Sequence, residues 1–265
     1  MKRLVMIALF MLGLSPALQA AVKGEEVQYK AGTTVLKGYL AHDTAIKGKR
    51  PGIIVVHEWW GHNEYARQRA RMLAELGYTA LALDMYGDGH QAHHPSDAGK
   101  FSSEVRKNLA VAKQRFDAAV AELKKHPSVD PNNIGAIGYC FGGAIVLEMA
   151  RLGNDLKGVV SFHGNLTTEQ PAKAGQVKAR VLVLTGVDDP FVPAAQVEGF
   201  KKEMDAAKVD YRLIAYPGAR HGFTSKEADD NSKKFNLPAL AYNAEADQKS
   251  WAEMKAFFKQ VFPKR

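Results

Sequence analysis

The sequence is short of several things, and each shortage removes an option. Only one of its 265 residues, Cys140, is a cysteine, so no internal disulfide can staple the fold. The longest apolar run, Leu4 to Leu14, falls short of the roughly 20 residues that span a bilayer. Internal repeats and low-complexity linkers are missing. Lysine and arginine exceed aspartate and glutamate by 36 to 28, but they are scattered rather than run together, which gives a solvated surface and no nucleic-acid footprint.

The N-terminus has its own character. Lys2 and Arg3 precede the apolar run, and Ser15-Pro16-Ala17-Leu18-Gln19-Ala20 follows it. A basic start, a short apolar centre and small residues near a cut make a secretory signal peptide. Cleavage after Ala20 leaves Leu18 where a small residue is preferred; cleavage after Ala17, with Ser15 behind it, is the alternative. Residues 1–20 are therefore assigned to export and 21–265 to the mature protein, which is expected in the periplasm or outside the cell. Without Lys2 and Arg3 the formal charge falls from +8 to +6. About 245 residues remain, which suits one α/β domain. In an oxidising compartment a lone thiol is a liability unless it is buried or used.

The rest of the chain alternates strand and helix signals. Val27 to Tyr29 and Thr34 to Leu40 read as a leading hairpin. Ile53 to Val56 is a continuous β-branched run of the kind buried on both faces. Asn63 caps a helix with an apolar stripe at Ala66, Ala70, Leu73 and Leu76, and Gly77 stops it. Further strands are expected at Tyr78 to Leu83, Ile134 to Ile137, Val159 to Phe162, Val181 to Leu184 and Tyr211 to Tyr216. Helices are expected at about Ser103 to Leu123, after Cys140 to about Leu152, at Ala194 to Ala207 and at about Ala244 to Phe262. This alternation predicts one doubly wound α/β domain, with a mostly parallel sheet and helices on both faces.

The organising motif is Gly138-Tyr139-Cys140-Phe141-Gly142. Gly-x-nucleophile-x-Gly between a strand and a helix is a nucleophile elbow, whose glycines permit a sharp turn that exposes the middle side chain. Asp188 or Asp189 and His221 lie beyond the ends of later strands, and sites in open parallel sheets form at that edge. Nucleophile, acid, histidine is the order of the α/β-hydrolase fold. The helix after Cys140 points its positive end at the sulfur, and His221 can share the thiol proton; both favour thiolate. The acid would orient His221 and stabilise its imidazolium form. An oxyanion hole is expected from the N–H of Phe141 and a second N–H after the Ile53 to Val56 strand, with Trp59 as the candidate. Trp60, Phe191 and Phe223 are expected to line the substrate pocket.

Five segments together resemble the dienelactone hydrolase family of α/β hydrolases. They are His57-Glu58-Trp59-Trp60-Gly61-His62-Asn63, Leu83-Asp84-Met85-Tyr86-Gly87, the Cys140 elbow, Asp189-Pro190-Phe191-Val192-Pro193, and His221-Gly222-Phe223. The resemblance implies a triad of Cys140, Asp189 and His221, with Asp189 chosen because it stands four residues before the last proline of its segment. It further implies that Glu58 contacts the resting cysteine and helps take its proton. The namesake enzymes hold an acidic lactone with arginines, one close after the catalytic histidine. Here Thr224-Ser225-Lys226 stands in that place and no arginine occurs between Asp84 and Phe101, and lysine does not reproduce bidentate carboxylate binding.

The expected activity is hydrolysis of a small ester or lactone by a monomer. No cofactor, no nucleic acid and, after signal cleavage, no membrane partner is expected. A non-catalytic binding or thiol-sensing protein on the same fold is the alternative. His90, His93 and His94 suggest a metal, but no acidic or sulfur partner stands at fixed spacing, so a mobile rim is expected and no metal. His163 is expected to line the pocket or to be a satisfied structural histidine, and Asp84 to be structural.

Overall fold

The β-branched run predicted as a buried strand lies near the middle of an eight-stranded sheet in the computed structural model, which describes residues 21–262. The assigned signal peptide lies outside the described residues. The strands are β1 (Val22–Ala31), β2 (Thr34–Asp43), β3 (Arg50–Val56), β4 (Thr79–Ala82), β5 (Val129–Tyr139), β6 (Gly158–Phe162), β7 (Arg180–Gly186) and β8 (Tyr211–Tyr216). Their order across the sheet is β1-β2-β4-β3-β5-β6-β7-β8. The β1–β2 hairpin and the β2–β4 pair are antiparallel, and every pairing from β4 to β8 is parallel.

The period of two along β3 shows why helices must cover both faces. Ile54 and Val56 pack into one apolar layer and Ile53 and Val55 into the other. The first layer is completed by α2 (Pro95–Lys107), α3 (Leu109–Lys125), α4 (Phe141–Arg151) and α5 (Ala194–Ala206), through Val105, Phe116, Ile145 and Phe200. The second is completed by α1 (Glu64–Glu75) and α7 (Ala244–Val261), through Leu73, Met254, Phe257 and Phe258. The described chain is thus a doubly wound α/β fold, as its alternation of elements predicts. Among the described residues no helix is long and apolar enough to cross a membrane.

Three expectations need correction. The single helix at Ser103 to Leu123 is two helices broken at Asn108, which ends α2 and whose side chain accepts the Val111 N–H at 3.2 Å to start α3. A short amide that bonds local backbone competes with helix continuation. The segment before Lys100, expected as loop, is already helical from Pro95, with the His94 side chain as its cap. A further helix, α6 (Glu227–Phe235), has no counterpart among the expected elements, because it buries only Ala228 and shows no apolar stripe.

The rim is also anchored rather than free. Asp84 accepts hydrogen bonds from the N–H groups of Lys37, Tyr86, Gly87 and Gly89 at 2.8–3.1 Å. His90 bonds the Gly87 carbonyl at 2.7 Å, and Arg115 donates to the carbonyls of Met85 and Tyr86. Asp84 is structural, as expected, and among the described residues no group of three or more metal-ligating side chains occurs.

The elbow depends on missing atoms. A Cβ on Gly138 would stand 2.0 Å from the Gly142 carbonyl oxygen, and one on Gly142 would stand 2.3 Å from the Val56 oxygen. Gly199, within α5, has nothing within 4 Å of such a Cβ. Gly138→Ala should therefore cost roughly 2–4 kcal/mol, while Gly199→Ala should add up to about 1 kcal/mol through helix propensity. Urea unfolding midpoints of the two variants check the difference in sign.

Candidate active site

Cys140 sits between β5 and α4 with φ 52° and ψ −114°, a left-handed strained conformation for a residue with a side chain. Its N–H is held by two acceptors, the Phe162 carbonyl at 3.0 Å and His163 Nδ1 at 3.1 Å. Its Sγ lies 3.0 Å from His221 Nε2, and His221 Nδ1 lies 2.8 Å from Asp189 Oδ2. Sulfur, imidazole and carboxylate, remote in sequence, form one hydrogen-bonded chain. Asp188 is exposed, so the choice between the two aspartates falls on Asp189.

The proton inventory of this chain follows from its surroundings. Burial alone would lower the His221 pKa, yet Cys140 and Asp189 on either side outweigh it and hold the imidazole well above its usual range. Glu58, buried in the same cavity, is pushed up to about 7, chiefly by desolvation; the nearby His221 opposes the rise and Glu227 adds to it. No hydrogen bond joins Glu58 to the resting thiol, whose partner is His221. The contact implied by family resemblance is therefore not made in this state.

Two buried histidines brace the backbone around the sulfur. Met85 N–H donates to His57 Nε2 at 3.2 Å, so that nitrogen is an acceptor and the proton must reside on Nδ1. Nδ1–H then donates to the Glu58 carbonyl at 2.6 Å, which also accepts from Gly61 N–H. This carbonyl belongs to the peptide that carries the Trp59 N–H, so His57 sets that donor's direction. Tyr86 fixes the next peptide by donating its hydroxyl to the Trp59 carbonyl at 2.9 Å. Phe141 follows Cys140 at the first position of α4, where an N–H has no intrahelical acceptor. The ring of Phe141 packs on both His57 and Tyr86.

His163 is the second brace. With Nδ1 accepting the Cys140 N–H, its Nε2–H donates to Thr224 Oγ1 at 2.7 Å. Burial keeps it neutral by pushing its pKa well below the usual range. The network continues through Tyr65 to Arg69, which binds the Thr224 carbonyl and Asp247, each at 2.7 Å. Arg69 also lies over the rings of Tyr65, Tyr139 and Trp251. One buried cation thus ties α1, α7 and the loop after His221 together. His163 is a satisfied structural histidine, fully buried and outside the wall of the cavity beside Cys140.

A narrow cavity of about 10 Å³, room for a single water, opens beside the sulfur, bordered by Glu58, Trp59, Trp60, His221, Ser225 and Leu240. Two roomier clefts flank α2, but neither reaches Cys140. Trp60 is where a pocket residue was expected. Phe223 is not: its side chain is fully buried against His163 and Tyr216, because Gly222 at φ +72° reverses the chain and turns Phe223 into the core. Phe191 lies outside the cavity with its ring against His221. Ala228 and Asn231 from α6 complete the wall. Sequence reasoning missed them because their helix is short, mostly charged or polar, and buries only Ala228. The supporting roles of His57 and Tyr86 were also missed, although both stand inside segments that carry the family resemblance.

The comparisons agree with this fold. The model of the dienelactone hydrolase family matches residues 36–262. A Synechocystis protein, provisionally named a carboxymethylenebutenolidase, is 28% identical over 236 residues, which cover 84% of this chain and 91% of that one. The crystal structure of a dienelactone hydrolase-like promiscuous phosphotriesterase from metagenomic libraries is 37% identical with a TM-score of 0.86, covering 92% of this chain and 100% of its own. A provisionally named dienelactone hydrolase from Klebsiella pneumoniae is 27% identical with a TM-score of 0.75, covering 91% and 99%. A doubly wound sheet, an elbow at its centre and matches along almost the whole described chain lead to one conclusion: this chain belongs to the dienelactone hydrolase family and is a hydrolase of ester or lactone bonds.

Proposed function

We propose that the chain hydrolyses small, uncharged esters or lactones through a Cys140–His221–Asp189 triad and a thioester acyl-enzyme. The observation that carries this reading is the unbroken chain from Sγ to Nε2 at 3.0 Å and from Nδ1 to Asp189 Oδ2 at 2.8 Å. His221, hydrogen-bonded to Sγ and to Asp189, takes the sulfur's proton, and the sulfur acts as the nucleophile. It attacks the carbonyl carbon, and the oxyanion that forms is met by the N–H groups of Phe141 and Trp59. Collapse breaks the bond to the leaving oxygen, which takes the Nε2 proton. Neutral His221 then accepts a proton from water as the hydroxide attacks the thioester, and the thiolate leaves. The net change is ester plus water to acid plus alcohol.

The cavity wall supports an uncharged substrate. No lysine or arginine borders it, and its one acidic residue, Glu58, carries a pKa near neutrality. A carboxylate-bearing lactone would meet no lysine or arginine there, and the cation on the wall, His221, is already matched by Cys140 and Asp189. Glu58 serves as a proton-holding neighbour: uncharged, it leaves the thiolate undisturbed, and ionised, it sets a like charge beside it.

Replacing Cys140 by Ala should lower turnover of an aryl ester by at least about 10³-fold with the fold retained, as loss of a nucleophile does; near-normal turnover would contradict the mechanism. Glu58 gives a pH prediction. Its folded pKa of about 7 lies above the ordinary 4.5, so the folded state keeps a proton that the unfolded chain releases, and stability falls as pH rises from about 4.5 to 7. Glu58→Gln should remove this loss. Its stability relative to the native chain should increase across that window, by at most roughly 3 kcal/mol. Thermal melts at pH 4.5, 6 and 8 read the trend, and a constant offset would contradict it.

A further inference from the structure

We infer that the rings of His57, Tyr86 and Phe141 form a clamp that holds the two oxyanion donors, the N–H groups of Trp59 and Phe141, as one unit. His57 and Tyr86 are then positioning residues for hydrolysis. This inference rests on the cysteine-hydrolase reading and adds to it the residues through which the oxyanion hole keeps its shape.

The donors are marked by what they leave unbonded. The N–H of Cys140 itself is taken by the Phe162 carbonyl and His163 Nδ1. Those of Trp59 and Phe141 make no hydrogen bond among the described residues. One stands in the loop after β3 and the other at the start of α4, so the chain itself does not fix their spacing. A donor that meets charge only in the transition state must be aimed before substrate arrives. Side chains have to do the aiming.

The three rings supply the tie. Their centroids stand 4.7 Å apart for His57 and Tyr86, 5.7 Å for His57 and Phe141, and 5.5 Å for Tyr86 and Phe141. Each ring thus packs on both of the others, and all three are buried. Two of them grip the carbonyls on either side of Trp59: His57 Nδ1–H holds that of Glu58 at 2.6 Å, and the Tyr86 hydroxyl holds that of Trp59 at 2.9 Å. A peptide is planar, so fixing the Glu58 carbonyl fixes the direction of the Trp59 N–H. The third ring belongs to the residue that carries the other donor. His57 can grip in only one tautomer, which the Met85 N–H enforces by donating to Nε2 at 3.2 Å. Burial keeps this ring neutral by pushing its pKa down. In a close-packed interior, a change at one ring is felt by the other two, and the donors respond together.

The test separates oxyanion stabilisation from sulfur reactivity. Hydrolysis of phenyl acetate passes through an oxyanion; alkylation of Cys140 by iodoacetamide does not, yet it uses the same sulfur and the same His221. Tyr86→Phe, which keeps the ring and removes only the hydroxyl, should lower kcat about tenfold, and His57→Leu about 10²-fold. In both, KM should change less than about threefold and the alkylation rate less than about twofold. His57→Gln should recover most of the loss, because an amide offers one acceptor to the Met85 N–H and one donor to the Glu58 carbonyl. His57→Leu combined with Tyr86→Phe should lose less than the product of the single losses. Equal losses in hydrolysis and alkylation would make the rings a general support of the triad and overturn the clamp. So would a native kcat in Tyr86→Phe, a His57→Gln variant no better than His57→Leu, or single losses that simply multiply. Tyr86→Phe and His57→Gln read the clamp even where His57→Leu does not fold. Mass analysis for acyl-enzyme in the native chain separates the two levels. An acyl-enzyme together with unaltered kcat in the variants refutes the clamp alone, whereas hydrolysis without one refutes the thioester reading beneath it.

Discussion

Contact between backbone and backbone at the elbow governs this structure. Gly138 and Gly142 approach so closely that a single carbon on either would collide with main-chain atoms that cannot yield. In that space β5 reverses into α4, and Cys140 is forced to φ 52° with its sulfur projecting at the carboxyl edge of the sheet. The strain is offset by what surrounds it. Two acceptors hold the Cys140 N–H, Phe141 begins a helix with its N–H free of intrahelical bonding, and the Ile145 side chain anchors that helix in the core. The site is a consequence of how the sheet's central crossover is packed.

Around the sulfur, the protein controls charge by burial more than by ion pairing. His57 and His163 are both kept neutral by desolvation, and each uses its lone pair on a backbone N–H that cannot turn away. Glu58 is raised toward neutrality by the same physics. The imidazole that gains from charge is His221, placed between sulfur and Asp189. Arg69, the buried cation nearby, is occupied by Asp247, the Thr224 carbonyl and three aromatic rings. It serves the scaffold and leaves the cavity wall without a lysine or arginine. A neutral ester suits such a site better than an acidic lactone.

The sequence is most informative where chemistry demands a fixed spacing. The glycines around Cys140 and the histidine in His221-Gly222-Phe223 stand out by residue type and order, order narrows the acid to Asp188 or Asp189 and the family resemblance picks Asp189, and the fold brings Cys140, His221 and Asp189 within hydrogen-bonding reach of one another. Strands such as Ile53 to Val56 are equally legible, because burial on both faces favours a continuous apolar, β-branched run. Elements without a pattern are not legible. α6 buries a single alanine, yet it supplies part of the cavity wall. The break at Asn108 depends on one side-chain hydrogen bond inside an otherwise continuous apolar stripe. Phe223 is expected at the pocket from its place in the His221 segment, and the turn at Gly222 puts it in the core. Roles that operate through tautomers, as in His57 and His163, need the partner atoms on each ring nitrogen.

The central claim is that the sulfur of Cys140 becomes acylated during turnover. The most direct measurement is peptide mapping by mass spectrometry of native protein acid-quenched during hydrolysis of p-nitrophenyl acetate. The account predicts an acetyl group on the peptide containing Cys140, removable by hydroxylamine and missing from Cys140→Ala. Rapid ester hydrolysis with Cys140 unmodified at every quench time, or an acetyl group on another residue that forms and decays with turnover, would contradict it.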